Sequence, residues 1–335
     1  MNAYKIVELT AAQKLLIKAT IPILEKSGVD LTAAFYQRML TNNPSVRPFF
    51  NVAHQKSKAQ PKILAYSLLA YAKNIDDISP LTTFVNQIVT KHVGLQVQPE
   101  QYPIVGENLL ATMHELLGDE IATPELLEAW GVAYGNLAKI LIDAENACYV
   151  KNQWQGFKEF EVSKIEPETD DVKSVYLKPI EGEIQPPKRG QYLGIRWRLP
   201  EAETTREYSI SQYPDNGQYR ISVKRDANGG VVSNYIQDTL KVGDKVGVSA
   251  PAGSFTYKET KSEPVLLLAG GIGITPLVLI AEVALKDGRN VELYYSNDHS
   301  RPFTQWFKSI KNQYGDKFKL KEFISHGEVE KIDEL

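Results

Sequence analysis

From Thr10 to about Cys148 the apolar residues recur at intervals of three and four and do not alternate, which predicts helices that each bury one face. Ile17, Ile21 and Leu24 continue one stripe, Leu31, Ala34, Phe35 and Met39 form a second, and Leu81, Phe84, Val85, Ile88, His92 and Leu95 a third. Gly28, Pro44, Pro48, Pro80, Pro99 and Pro124 read as breaks between helices, with Thr123 before Pro124 as a cap followed by a first-turn proline. After Lys151 the period changes. Phe160–Ile165, Val172–Ile180, Gln191–Trp197, Tyr208–Ser211, Tyr219–Lys224 and Lys245–Ser249 are short alternating runs between turn-forming clusters, which predicts an antiparallel barrel or sandwich, interrupted by one helix near Ser233–Leu240. From Pro264 strand and helix patterns take turns. Strands at Val265–Ala269, Val291–Tyr295 and near Phe318–Phe323, with helices from Thr275 to about Asp287 and near Pro302–Gln313, predict a parallel α/β sheet.

The 335 residues suit two or three domains at about 150 residues each. A formal charge of −3, from 38 basic and 41 acidic residues, argues against nucleic acid or an anionic membrane as main partner. No apolar run approaches the ~20 residues of a membrane-spanning helix. Cys148 is the only cysteine, so neither an internal disulfide nor a thiolate cluster can be built, and the N-terminus does not read as a secretion signal. The expected compartment is the cytoplasm.

Three segments carry candidate chemistry. Leu266-Leu267-Leu268-Ala269-Gly270-Gly271-Ile272-Gly273-Ile274-Thr275-Pro276 reads as a buried strand, a glycine turn, and a helix start with Thr275 as cap and Pro276 at the first position. Gly270, Gly271 and Gly273 would let backbone N–H groups approach a pyrophosphate at the helix N-terminus, or form a tight turn with no ligand. In Arg206-Glu207-Tyr208-Ser209, Arg206 and Tyr208 share one strand face and could meet a phosphate and an aromatic ring, although a solvated edge explains them as well. Gly230-Val231-Val232-Ser233-Asn234 places Ser233 as a cap at a helix start, a second anion site or only a cap.

In this order the pieces from about Gln155 onward resemble the ferredoxin-reductase-like flavoprotein module, an FAD-binding barrel followed by a pyridine-nucleotide domain. The resemblance implies that Arg206, Tyr208 and Ser209 bind the flavin, that Gly230, Val232 and Ser233 hold its pyrophosphate, that Tyr192 is a further flavin-side tyrosine, and that Gly270, Gly271, Gly273, Thr275 and Pro276 form the NAD(P)H turn. A redox module fused to helices suggests an electron acceptor among them, and with one cysteine a histidine-ligated haem is the economical choice. Of the five histidines, His299 and His326 lie outside the helical region, His54 sits in a polar stretch, and His114 adjoins Glu115. His92 continues an apolar stripe and should point into the core, as a ligand or as a packed core histidine.

The region from Thr10 to about Tyr149 resembles the globin domain of flavohaemoglobins. The stretches that carry this are Lys18-Ala19-Thr20-Ile21-Pro22, Phe35-Tyr36-Gln37-Arg38-Met39, Phe49-Phe50-Asn51, Lys91-His92, Pro99-Glu100-Gln101-Tyr102, Val105-Gly106-Glu107-Asn108-Leu109-Leu110 and Ala129-Trp130-Gly131-Val132-Ala133-Tyr134. The resemblance implies a globin haem domain at 1–150, an FAD barrel at 151–260 and a nucleotide domain at 261–335, with haem b, FAD and NAD(P)H as cofactors. His92 would be the proximal iron ligand, Phe50 would pack on the haem, and Tyr36, Gln60 and Leu64 would line the distal pocket. Tyr102 and Glu145 match residues that approach the proximal histidine, where a carboxylate accepting the imidazole N–H makes it a stronger donor. The Tyr36 hydroxyl would donate a hydrogen bond to bound oxygen, or be simply a core aromatic. Pro61 requires the distal helix to begin near Gln60.

Flavohaemoglobins carry roughly one further βαβ unit beyond the point that matches Leu335, with a Cys-Gly-Pro nicotinamide motif and a terminal aromatic segment, so a short nucleotide domain is expected here, either because the chain is a fragment or with nicotinamide docking impaired. Arg301 is a candidate partner for a 2′-phosphate, or a solvated arginine. The implied activity is nitric oxide dioxygenation, with electrons passing from NAD(P)H through FAD to haem and O2 and nitric oxide as substrates. The alternatives are a haem-based oxygen or nitric oxide sensor with an impaired reductase, which need not reduce its haem with NADH, and a plain flavin reductase, whose activity would survive loss of His92.

Overall fold

The computed structural model describes residues 5–50, 59–214, 216–258, 263–297 and 301–324. His54, His299 and His326 therefore fall outside the described residues. The chain forms two compact units, Met1–Lys151 with Ala202–Thr205, and Asn152–Glu201 with Arg206–Leu335.

The first unit is helical, as its spacing predicts. Among the described residues the α-helices follow in the order α1 (Ala11–Ala19), α2 (Ile21–Asn42), α3 (Ala59–Lys73), α4 (Thr82–Leu95), α5 (Gln101–Leu117) and α6 (Pro124–Tyr149). Thr10 starts α1 by accepting from the Gln13 N–H while the Gln13 side chain accepts from the Thr10 N–H, and Thr123 starts α6 by accepting from Leu126. Their apolar faces meet in one core around Ile17, Phe35, Met39, Leu109 and Trp130.

Gly28 does not break the chain. It lies buried inside α2, where a Cβ would stand 3.5 Å from that of Ala65 on α3, an ordinary van der Waals contact. Thr32, one turn on, donates from its hydroxyl to the Pro61 carbonyl at 2.8 Å and ties the start of α3 to the same helix. Pro61 occupies the first described turn of α3, where a missing N–H costs little.

The second unit joins a barrel to a parallel sheet. Strands β1 (Lys158–Pro167), β2 (Val172–Pro179), β3 (Tyr192–Arg198), β4 (Glu203–Gln212), β5 (Tyr219–Lys224) and β6 (Lys245–Val248) run in the order β1-β2-β5-β4-β3-β6, with β6 pairing back onto β1. Phe160, Val175, Leu193, Trp197, Ile221 and Val248 fill the interior, and α7 (Val231–Asp238) adds Val232 and Ile236 to it. The parallel sheet runs β7 (Val265–Gly270), β8 (Val291–Asn297), β9 (Phe318–Ile324), with α8 (Thr275–Lys286) and α9 (Thr304–Tyr314) as crossovers. β7 is only half buried, contrary to its apolar run. Leu267 and Ala269 face the core of α8, whereas Leu266 and Leu268 are 61% and 71% exposed, because among the described residues that face of the sheet is uncovered.

Candidate functional site

On α4 the stripe Leu81, Phe84, Val85, Ile88, His92 and Leu95 is only partly buried, while Val89, Val93 and Gly94 form the fully buried face. His92 turns only the Nδ1 edge of its ring towards buried side chains, Glu145 and Tyr102. It sits on a partly open apolar face, its side chain 29% exposed. Its Nδ1 is 2.7 Å from Glu145 Oε1 on α6 and 3.1 Å from the Tyr102 hydroxyl on α5. Tyr102 in turn donates to the same carboxylate oxygen at 2.6 Å. Glu145 is 2% exposed, so this carboxylate spends its lone pairs on the two groups beside it. A carboxylate at Nδ1 fixes the tautomer: the proton stays on Nδ1 and Nε2 keeps a free lone pair. Among the described residues Nε2 has no hydrogen-bond partner.

Two further tyrosines brace this set, and neither was assigned a role from sequence. The Tyr134 hydroxyl donates to the Tyr102 carbonyl at 2.7 Å, and Tyr149 donates to Val97 O at 2.7 Å with His92 O at 3.4 Å. The usable signal was Leu141, Glu145 and Tyr149 at four-residue steps, a carboxylate and a phenol on one apolar face of α6. Burial, with the Glu145 charge nearby, pushes the Tyr102 and Tyr149 phenols well above their ordinary range, so both stay protonated.

Tyr36 on α2 is 8% exposed and packs edge-on to Phe50, with ring centroids 5.7 Å apart. Burial raises its pKa, and its hydroxyl makes no hydrogen bond among the described residues. Phe50 and Leu64 pack against the same core as Tyr36. Gln60 is partly buried in the first described turn of α3. A partly open apolar stripe, a histidine with its outer nitrogen free and a buried hydroxyl without a protein acceptor fit a flat apolar macrocycle that carries a metal at its centre. His114 is not part of this set: it is exposed and pairs with Asp119 at 2.8 Å.

In the barrel Arg206, Tyr208 and Ser209 lie partly buried on β4, and burial lowers the arginine pKa while raising that of Tyr208. The Tyr208 ring meets Trp197 edge-on at 6.1 Å, and the Arg206 charge acts on its phenol, partly offsetting the effect of burial. Tyr192 lies against Gly253, where a Cβ would come within 2.9 Å of the ring, and burial pushes its pKa up to about 12. These side chains fit an aromatic, phosphate-bearing group.

Ser233 does not cap α7. Gly230 occupies the cap position, and the Ser233 hydroxyl, one turn in, donates to Gly230 O at 3.1 Å and accepts from Asp226 N at 3.2 Å. A Cβ on Gly230 would stand 2.6 Å from that of Asp226, which explains the glycine. Val232 buries its side chain in the barrel, so only its backbone N–H is available at the helix start.

In the glycine turn Thr275 likewise begins α8 without capping it; its hydroxyl donates to Ile272 O at 3.0 Å, and Pro276 follows. Gly271 has φ +49, the left-handed region. A Cβ on Gly270 or Gly273 would meet nothing within 4 Å, so packing does not explain these two glycines, whereas a ligand lying against the backbone would. Arg301 is not a solvated arginine: it pairs with Glu322, whose carboxyl is raised by burial and partly lowered again by that guanidinium.

Residues 33–141 match the globin family and residues 161–257 the oxidoreductase FAD-binding domain family. The chain is 55% identical to the flavohemoprotein of Schizosaccharomyces pombe, over 97% of its own length and 78% of that protein's, and 53% identical to the flavohemoprotein of Candida albicans, over 96% and 82%. Its fold is similar to the crystal structure of flavohemoglobin from Malassezia yamatoensis with bound FAD and heme, with TM-score 0.84 and 26% identity over 95% of this chain and 85% of that one. A globin unit with a braced histidine, followed by a flavoprotein barrel and a parallel sheet, and relatives that match over nearly the whole of this chain place it in the flavohaemoprotein family.

Proposed function

We propose that this oxidoreductase is an NAD(P)H-dependent nitric oxide dioxygenase that converts nitric oxide and O2 to nitrate, and that it holds haem b, FAD and NAD(P)H. The observation that carries the reading is that the Glu145 carboxylate accepts from both His92 Nδ1 and the Tyr102 hydroxyl. A storage globin has no need of a buried carboxylate behind its axial histidine, whereas oxygen activation benefits from one. When bound, haem supplies an iron centre that takes up dioxygen, and FAD supplies the conversion of a hydride into single electrons.

His92 would hold the iron of a bound haem, while Glu145 keeps the proton on Nδ1 and would strengthen the imidazole as a donor. Tyr102 and Glu145 fix the ring, with Tyr149 and Tyr134 holding the backbone on either side. Tyr36, kept protonated by burial, would offer its O–H to substrate oxygen, Gln60 and Leu64 would line the same side, and Phe50 would pack on the haem. Arg206, Tyr208, Ser209 and Tyr192 hold the flavin, assisted by the N–H groups at Gly230, Val232 and Ser233. Gly270, Gly271 and Gly273 leave the backbone open to the pyrophosphate of NAD(P)H ahead of Thr275 and Pro276.

The test is optical. The purified protein should show haem and flavin bands together, and anaerobic NADH should bleach the flavin and then reduce the haem. His92→Ala should lose the haem reduction and keep flavin bleaching. A preparation that takes up neither group overturns the reading.

A further inference from the structure

Phe303 immediately precedes α9 and is almost fully buried at 1% exposure, yet its backbone sits at φ 65 and ψ 22. The left-handed region is costly for a bulky aromatic, so something outside the local chain must hold it there. That something belongs to the flavin barrel. Glu168, in the turn between β1 and β2, accepts from the Phe303 N–H at 3.1 Å through Oε2. Its other oxygen accepts from Ser174 at 2.6 Å. Ser174 Oγ lies 2.8 Å from Ser222 Oγ, Ser222 lies 3.0 Å from Ser211 Oγ, and Arg220 donates from Nε to Ser211 Oγ at 3.1 Å. The Arg220 guanidinium then stands 5.4 Å from the centre of the Phe303 ring. The circuit leaves Phe303 through its amide and returns to it through its ring. The three hydroxyls are buried and, with Ser174 donating to the carboxylate, can all point one way, from guanidinium to carboxylate, an arrangement in which each bond polarises the next.

We propose that Glu168 is a positioning residue for hydride transfer: it fixes the start of α9, and with it the parallel sheet, against the flavin barrel, and so sets how NADH meets the flavin without touching either. The inference rests on the reading of the glycine turn as the NADH site. Glu168→Ala removes the acceptor of the Phe303 amide. Glu168→Gln keeps an acceptor for that amide and offers an N–H to Ser174, and the relay can then reverse, ending on the Arg220 carbonyl, which lies 3.2 Å from Ser211 Oγ.

In stopped-flow reduction of the holoprotein at saturating NADH, Glu168→Ala should slow flavin bleaching about 10-fold, the scale expected for a misplaced reacting pair, with FAD content and the NADH dissociation constant unchanged. Glu168→Gln should stay within about threefold of the unsubstituted rate, since the hydrogen bonds are replaced rather than lost. Independently of turnover, hydrogen exchange of the peptide spanning residues 301–307 should quicken several-fold in Glu168→Ala and little in Glu168→Gln. Bleaching at the unsubstituted rate in Glu168→Ala, or a loss of rate that only follows loss of FAD, overturns the proposal while leaving the functional reading intact. An unsubstituted holoprotein that takes no hydride from NADH overturns both.

Discussion

Glu145 Oε1 lies 2.7 Å from His92 Nδ1, although 53 residues separate them in the chain. An unpaired buried carboxylate costs several kcal/mol, so the site depends on both donors being present, the imidazole and the Tyr102 phenol. Glu145→Gln preserves size and removes the charge that strengthens the histidine. Nitric oxide turnover should fall about 10- to 100-fold with haem retained, and the iron–histidine stretch in resonance Raman spectra should move to lower frequency. An unchanged rate and frequency would reduce the carboxylate to a packing role.

Tyr36→Phe removes a hydroxyl that no described residue accepts from. Thermal stability should hold or rise slightly, and haem content should not change, while nitric oxide turnover drops about 100-fold, the scale of one lost donor to developing charge. Parallel turnover in the two proteins would make Tyr36 a core aromatic.

Gly106→Ala tests the brace behind the proximal side. The added Cβ would stand 2.6 Å from the Tyr134 ring, whose hydroxyl holds the Tyr102 carbonyl. Overpacking of this kind costs about 1–3 kcal/mol, read as a lower urea midpoint, and the displaced Tyr102 should also alter the iron–histidine stretch.

Gly273→Ala separates a nucleotide cradle from a tight turn. The new methyl meets nothing within 4 Å, so folding stability should change by less than about 0.5 kcal/mol. The KM for NADH should rise about tenfold, a loss of about 1.4 kcal/mol of binding. Equal KM values would favour the structural turn.

Burial pushes Tyr71 up to about 12, and its hydroxyl donates to Ala133 O at 3.2 Å. Above pH ~10 the unfolded chain releases this proton while the folded chain keeps it, so stability is complete below pH ~10 and declines as pH rises towards 12. The slope contributed is about 1.4 kcal/mol per pH unit. Tyr71→Phe should be destabilised at neutral pH and show a shallower alkaline decline. Urea midpoints measured from pH 8 upward through this window would settle it; identical slopes would place the titration elsewhere.

Sequence showed the elements more readily than their exposure. Periodicity located the barrel strands, although β4 begins at Glu203, five residues before the run read from Tyr208, and Thr123 with Pro124 marked the start of α6, because both signals are local. Gly28 read as a break, yet it lies buried inside α2, because an interior glycine weakens a helix without ending it. Ser233 and Thr275 read as caps, yet Ser233 lies three residues past its cap Gly230 and Thr275 one residue past its cap Ile274, and each donates back to a carbonyl, offsets that residue type does not reveal. The stripe holding His92 was legible, but its partial exposure was not, since that depends on what the facing helices leave uncovered. Glu168 left no local signature at all: its partner amide is 135 residues away.

The most direct test of the central claim is a nitric oxide electrode trace in aerated buffer containing the purified protein, started by adding NADH. Continued consumption over many equivalents, with nitrate as product and abolished by His92→Ala, is the predicted result. Uptake that stops at one nitric oxide per haem would contradict it and leave a binder in place of an enzyme.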